Sequence, residues 1–179
     1  MKPARIRFAT AIFPIAAALL PAGMSAHATP RDGAGASPAP IAEQSRFLGS
    51  WELDLGRMPA TYGTPPKRVL YRFSDVGEGF TRLEVDITAP DGSVRHMAVR
   101  FRPDGKMVPG QGDTSEADSA ALEAPASNVL VMSLAKNKTL GSVRVYAISA
   151  DGREMTESAA NVDGDGAPFV RNFHFKRLP

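Results

Sequence analysis

The chain has 179 residues, of which 21 are Lys or Arg and 19 are Asp or Glu, and it contains no cysteine. The absence of cysteine excludes a disulfide framework and a lipid anchor attached through a thiol. The near balance of charge gives no concentrated basic surface of the kind that nucleic acid requires, so we expect no nucleic-acid partner.

Residues 1–28 have the pattern of a secretory signal peptide. Three basic residues precede an apolar run over residues 8–20, and a small-x-small cleavage site ends at Ala28. A membrane anchor is the alternative, but it needs about 20 apolar residues, and this run is shorter and contains Pro14. We therefore expect cleavage before Thr29, a periplasmic or extracellular location and no membrane span in the mature protein.

Cleavage would change the charge balance and leave one domain. Residues 1–28 carry three basic and no acidic residues, so their removal leaves 151 residues with 18 bases and 19 acids. The sequence pI of about 9.1 then belongs largely to the leader. Residues 29–45 are rich in Pro, Gly and Ala and are predicted to form a flexible tether. A short helical turn is predicted over 41–48, and residues 46–179 are long enough for one domain with its own core.

From Gly49 onward the hydrophobic pattern has a period of two and is interrupted by tight-turn sequences such as Asp91-Gly92 and Asp151-Gly152. Short strands at this even spacing predict an all-β fold, a single antiparallel up-and-down β-barrel of 8–10 strands. The predicted strands lie near residues 49–55, 67–74, 80–89, 93–102, 106–109, 117–123, 128–135, 140–150, 153–161 and 168–177.

Apolar side chains occupy odd-numbered positions in most of these strands, whereas even positions carry charged residues such as Arg72 and Arg144. The predicted hairpins place 83 opposite 101, 143 opposite 159, and 157 opposite 171. A slip of one residue would turn the apolar set outward, so the register is strongly specified. We predict that odd-numbered residues from Trp51 to Phe175 share one interior.

The segment SRFLGSWEL resembles the start of a lipocalin-type barrel, in which Gly-x-Trp on the first strand follows a short helical turn. More closely, GSWELDLGRM, PPKRVLYRF, APDGSVRHMAVRFRPDGKMVPG and SADGREMT are similar to bacterial secreted lipocalin-like domains of unassigned function, over about residues 46–178. The resemblance implies a barrel floor at Gly49 and Trp51, with an arginine of the last strand over the tryptophan. Arg171 is the first choice for that arginine and Arg177 is its competitor. The Thr-Asp-Tyr motif of true lipocalins is missing.

Two charged residues interrupt the apolar series and predict a polar site inside the barrel. Glu157 and Arg171 fall on the odd face and directly opposite each other in the predicted register. A buried charge is tolerable only when it is paired and hydrogen-bonded, so we predict an inward Glu157–Arg171 pair. The pair is either purely structural or a polar anchor for a ligand. The predicted ligand-binding lining is Leu53, Tyr71, Leu83, Val85, Met97, Val99, Val145, Glu157, Arg171 and Phe173.

No arrangement in the sequence predicts catalysis, a cofactor or a metal. His96 and His174 fall on the outward face, without partners spaced to converge on them. The stretch from Asn161 to Gly166 imitates half of a calcium loop, but Asn172 stands where that loop requires Glu, and acidic glycine-rich sequence is also ordinary hairpin chemistry. We expect a protein that is not an enzyme.

The predicted function is an exported, monomeric barrel that carries or sequesters a small hydrophobic or amphiphilic ligand. The alternative is a non-catalytic structural or protein-interaction domain with a filled core, which would use a basic stripe on the even-numbered face formed by Arg72, Arg82, Arg100 and Arg144. An interior cavity of about 300 Å³ or more would favour the ligand carrier.

Overall fold

The computed structural model describes residues 45–179, and within them the protein is all-β. The predicted signal peptide 1–28 and residues 29–44 of the predicted tether lie outside the described residues. Eleven strands form one sheet. Their bounds are β1 Gly49–Leu53, β2 Arg68–Asp75, β3 Thr81–Thr88, β4 Val94–Phe101, β5 Asp104–Pro109, β6 Gln111–Gly112, β7 Ser119–Ala126, β8 Val129–Lys136, β9 Thr139–Ile148, β10 Glu154–Val162 and β11 Pro168–Arg177.

Every neighbouring pair in the sheet is antiparallel, in the order β5-β7-β8-β9-β10-β11-β1-β2-β3-β4-β6, and the sheet curls into a nearly closed barrel. The predicted all-β antiparallel barrel is confirmed. The strand count exceeds the expected ten because the two-residue β6 crosses back to pair with Met97 and Ala98 of β4.

The helical content of the described residues consists of two 3₁₀ turns, Leu55–Arg57 and Ala60–Tyr62, both in the β1–β2 connection. No helix in this part of the chain is long and apolar enough to cross a membrane. Of the predicted helical turn over 41–48, residues 41–44 lie outside the described residues, and the rest forms a single turn in which the Leu48 N–H donates to the Ser45 carbonyl at 3.1 Å.

Tight turns form where the Asp-Gly sequences predicted them. Gly92 has a φ of +94°, and the Asp91 carboxylate accepts the Ser93 N–H at 2.9 Å. In the β9–β10 turn, Gly152 has a φ of +74° and Asp151 accepts the Arg153 N–H at 3.0 Å. Glycine supplies the left-handed conformation and aspartate satisfies the freed backbone donor, which is why this dipeptide ends a strand.

The interior does not follow a single parity, and this corrects the prediction. Odd-numbered residues face inward in β1, β2, β3, β10 and β11, but the buried residues of β7, β8 and β9 include Leu122, Leu130 and Tyr146 at even positions. Register shifts occur in the β5–β7, β7–β8 and β8–β9 pairs. The reversal arises at the β9–β10 hairpin, where odd-numbered residues of β10 pair with even-numbered residues of β9, such as Met155 with Ile148. The buried parts of β8 and β7 then pair even with even, as Leu130 does with Tyr146.

The predicted hairpin registers need the same correction. Leu83 pairs with Val99 and not with residue 101, a shift of two residues that keeps the faces. Ala159 pairs with Arg144 and not with residue 143, a shift of one residue that turns β9 over. Glu157 pairs with Phe173 and not with residue 171. The predicted Glu157–Arg171 pair is therefore wrong.

Trp51 and Gly49 close one end of the barrel. Trp51 is 0% exposed, and its indole N–H donates to the Phe47 carbonyl at 2.8 Å. The arginine over its ring is Arg177, with its guanidinium carbon 4.1 Å from the ring centroid, so Arg171 was the wrong choice and Arg177 the right one. Gly49 has a φ of +118°, and a Cβ there would lie 2.9 Å from Arg177 Nη1, so only glycine allows this close packing.

Candidate functional site

The end of the barrel opposite Trp51 is the open end. Because the strands are antiparallel, the connections over 54–67, 89–93 and 163–167 all lie at the end towards which β1 runs. A cavity of about 510 Å³ opens among them, lined by Leu53, Met58, Tyr62, Val69, Tyr71, Phe173 and Phe175 among others. A smaller cavity of about 90 Å³ lies against β3, β4, β7 and β8.

A polar cluster lies where these two cavities meet, since Tyr71, Glu116 and Arg144 line both; its members are buried or nearly so except Glu116, whose side chain is exposed. Glu157 is 2% exposed, and its Oε2 accepts the Tyr71 hydroxyl at 2.9 Å. Its Oε1 lies 3.4 Å from Arg144 Nη1. Arg144 also donates through Nη2 to Glu116. One guanidinium therefore faces two carboxylates.

Burial controls the protonation of these groups. It raises the pKa of Glu157, and Arg144 and the Tyr71 hydroxyl offset this only in part. Burial together with the nearby Glu157 charge raises the pKa of Tyr71 well above its usual value. The same causes raise the pKa of Tyr146. Both tyrosines are thus neutral hydroxyls that can donate a hydrogen bond inside the barrel.

Two donors of the cluster make no hydrogen bond of normal geometry within residues 45–179, although Arg144 and Tyr71 lie near the Tyr146 hydroxyl. They are the Tyr146 hydroxyl and the Arg144 Nε–H, both buried. Tyr146 is 0% exposed and lines the smaller cavity beside Arg144. A buried polar atom without a hydrogen bond lowers the free energy of unfolding by about 1–3 kcal/mol. These two donors therefore mark a place where an acceptor of a ligand, or a water molecule, would supply the missing hydrogen bonds.

Aromatic side chains and a cation form the rim of the larger cavity. The Tyr62 ring lies 5.5 Å from the Phe173 ring, and the Tyr62 hydroxyl accepts the Asn172 N–H at 3.0 Å, which fastens the β1–β2 connection to β11. Arg171 is exposed and lies 5.2 Å from the Tyr62 ring and 5.4 Å from the Phe169 ring. It belongs to the mouth and not to the buried cluster.

Nine of the ten residues predicted to line the barrel contact one of the two cavities: Leu53, Tyr71, Leu83, Val85, Met97, Val99, Glu157, Arg171 and Phe173. Val145 does not, because β9 is turned over and this side chain is 37% exposed on the outer surface.

Sequence reasoning missed Glu116, Arg144 and Tyr146. In β9 the odd-numbered and the even-numbered residues both form an alternating series that could face the interior. Only the register of β9 with its neighbours could have shown that the even-numbered series, with Arg144 and Tyr146, faces inward. A usable signal was Glu157 itself, because a buried carboxylate requires a nearby cation.

The histidines and the calcium-like segment have structural partners. His96 Nδ1 lies 2.6 Å from Asp86 on the outer surface. The Asp163 carboxylate accepts the N–H groups of Asp165 and Ala167 at 3.0 and 2.9 Å, which closes the β10–β11 turn. Across residues 45–179, His, Cys, Asp and Glu do not gather into a group of three or more that could hold a metal.

No protein-family model matches the chain, and no curated protein matches it in sequence. Solved structures do match in fold. Fatty-acid-binding protein 1 of Echinococcus granulosus aligns with a TM-score of 0.51 at 11% identity, over 75% of this chain and 98% of that one. The wild-type fluorescent protein UnaG aligns with a TM-score of 0.52 at 12% identity, over 74% and 98%. The chain therefore has the calycin-type barrel fold of the fatty-acid-binding proteins.

Proposed function

We propose that this calycin-type barrel is an exported carrier that binds one small hydrophobic or amphiphilic molecule in its interior, without chemistry of its own. The observation that carries the proposal is the cavity of about 510 Å³ at the open end of the barrel. Ligand sites in proteins occupy about 300–1,000 Å³ and combine apolar walls with a few convergent polar groups. The aromatic and aliphatic walls and the Glu157–Arg144 cluster meet both conditions.

The interaction-domain alternative loses its main support. Arg72 is bound to Asp86 at 2.7 Å, Arg82 to Glu84 at 3.1 Å, and Arg100 lies 3.5 Å from the Phe80 ring centroid. Arg144 points into the barrel. The even-numbered arginines thus form no continuous basic stripe for a partner, and the interior is not filled.

Export is part of the proposal and is supported by the sequence pattern of residues 1–28. Protein purified from the organism that makes it should begin at Thr29, which intact-mass measurement can determine. A mature chain that still begins at Met1 would contradict export through this leader.

Native mass spectrometry of the protein purified from its own host tests carriage directly. We expect extra mass that is released on unfolding and matches a lipid or pigment. A recombinant chain should also bind an uncharged, environment-sensitive dye such as N-phenyl-1-naphthylamine. A bare chain from the host together with no dye binding would overturn the proposal.

A matched pair of variants locates the binding site. Ala159 is buried and lines the larger cavity, whereas the next residue, Ala160, is exposed on the outer face. Ala159→Phe should fill the cavity and reduce dye binding at least tenfold, while Ala160→Phe should leave it unchanged. Equal effects of the two variants would contradict an interior site.

A further inference from the structure

The polar cluster inside the barrel restricts the chemical class of the ligand, and this restriction rests on the proposed function. Two nitrogens of Arg144 are engaged, since Nη1 faces Glu157 at 3.4 Å and Nη2 donates to Glu116, whereas Nε makes no hydrogen bond. Glu157 Oε2 is taken by the Tyr71 hydroxyl. Beside these contacts, the cluster can offer a ligand hydrogen-bond donation from Arg144 Nε–H and from the Tyr146 hydroxyl, neither of which has a hydrogen-bond partner in residues 45–179.

We propose that the ligand presents an uncharged acceptor, the carbonyl oxygen of an ester, amide or ketone, to Tyr146 and Arg144, and that a free carboxylate is disfavoured there. A carbonyl oxygen has two lone pairs and can satisfy donors without bringing a charge into the barrel. Arg144 and Tyr146 stand two residues apart on β9 and therefore face the same side of the sheet.

Charge balance argues against a carboxylate in this place. The guanidinium of Arg144 already faces two protein carboxylates, and it still faces Glu116 when Glu157 is protonated. A third carboxylate would find no free positive charge and would repel its neighbours, which is costly where water is excluded. A carboxylate ligand would have to displace Glu116 or Glu157 from the arginine.

The remaining cations near the cavities lie towards the exposed rim. Arg171 is exposed at the mouth, over Tyr62 and Phe169. Arg95 is half-exposed and sits 3.9 Å from Asp113. Solvent weakens the attraction between such groups and an anion, so they offer less to a carboxylate than a buried arginine without partners would.

The test compares dodecanoic acid with methyl dodecanoate as competitors of bound N-phenyl-1-naphthylamine at neutral pH. The two have the same acyl chain and differ in the charge of the head group and in the one methyl group of the ester. We expect the ester to compete at least tenfold more strongly. The double variant Glu116→Gln/Glu157→Gln releases Arg144 from its carboxylates and should reverse the preference, so that the acid binds as tightly as the ester or more tightly.

A second variant isolates the donor. Tyr146→Phe should weaken the ester about fivefold to tenfold, while an unchanged cooperative unfolding transition in urea shows that the barrel is still folded. Unchanged ester affinity in this variant would overturn the assigned contact.

The failures are distinguishable. Dye binding in which the acid competes as well as the ester would overturn this inference and leave carriage standing. If Arg171→Gln then weakened the acid and not the ester, the head group would lie at the mouth, which also overturns the inference. Absence of dye binding would instead overturn the proposed function itself.

Discussion

At Glu157, a carboxyl group that is 2% exposed has its protonation set by opposing influences. Loss of water raises its pKa, whereas Arg144 and the Tyr71 hydroxyl lower it, and burial prevails. The folded protein consequently holds this proton more tightly than the unfolded chain does. Such a group stabilises the fold fully below its unfolded pKa of about 4.5, and that contribution is lost as the pH rises through the folded pKa.

This pH dependence of stability leads to a prediction for Glu157→Gln. Because glutamine imitates the protonated acid, the unfolding free energy of the wild type minus that of the variant should fall as the pH is raised from 4 towards 8. The fall amounts to about 1.4 kcal/mol for each unit by which the pKa is raised. Urea unfolding at a series of pH values measures it.

The control for that experiment is Asp86→Asn. Asp86 is bonded to His96 and Arg72, which lower its pKa. The unfolding free energy of the wild type minus that of Asp86→Asn should therefore fall as the pH falls below about 4. This pH dependence is opposite in direction to the one expected for Glu157→Gln. A wild-type advantage over Glu157→Gln that grows with pH would show that Arg144 stabilises the ionised form more than burial opposes it.

Arg177 fastens the closed end of the barrel. Its three nitrogens donate to the carbonyls of Gly152, Leu48 and Arg46 at 2.7, 2.6 and 2.5 Å, while its guanidinium covers Trp51. Arg177→Met should lower the unfolding free energy by about 2–4 kcal/mol, since charged hydrogen bonds contribute about 1.5–3 kcal/mol each and are not additive.

Arg171→Met is the matched control for Arg177→Met, because both arginines lie on β11 and only one lies over the tryptophan. Its side chain is exposed at the mouth, so we expect a loss below about 1 kcal/mol by chemical denaturation. A larger loss for Arg171→Met than for Arg177→Met would contradict the placement of the floor.

At the scale of the element, β9 shows why an alternating pattern can mislead. Its outward positions include Val143, Val145 and Ala147, and its inward positions include Tyr146 and Ile148. Both faces are apolar enough to be buried, so hydrophobicity does not specify the register of this strand. Its register with β10 decides: Glu157 pairs with Tyr146, so the inward odd-numbered residues of β10 lie beside even-numbered residues of β9.

Truncating one residue on each face of β9 tests its orientation. Val145→Ala, on the outer face, should cost less than about 1 kcal/mol, whereas Ile148→Ala, in the core, should cost about 2–5 kcal/mol. Unfolding by urea measures both. A greater loss at Val145 would restore the odd-numbered interior for this strand and would remove Arg144 and Tyr146 from the cavity.

At the scale of the whole molecule, the number of backbone hydrogen bonds between neighbouring strands differs around the barrel. From β7 through β11 to β1–β4 the strands form continuous ladders, but β4 continues across the seam only through Met97 and Ala98, which pair with β6. Strand edges without partners leave backbone groups to water. The seam formed by β4, β5 and β6 is therefore the weakest part of the wall.

Hydrogen exchange should show this asymmetry. Amides of Asp104–Pro109 and Gln111–Gly112 should exchange fastest among the strands, and those of β10 and β2, which are paired on both sides, should exchange slowest. Mass spectrometry of peptides from exchanged protein resolves these segments. Uniform protection around the barrel would show that the seam is closed in solution.

Ligand binding should slow exchange at the seam if the ligand contacts Met97 and Val99.

The sequence by itself determined the class of fold and the position of the turns, because alternation and Asp-Gly chemistry act within a few residues of the chain. The closed end at Trp51 was implied by the resemblance of its Gly-x-Trp segment to the start of a lipocalin-type barrel. It also marked Glu157 as a buried charge that needs a partner. Only the tertiary structure decided that the partner is Arg144 and not Arg171, that Arg177 covers Trp51, and that Val145 faces outward. The physical reason is that a β-strand has two faces one residue apart. A register shift of one residue therefore exchanges them, and which face is inside depends on how the strand pairs with its neighbours in the folded sheet.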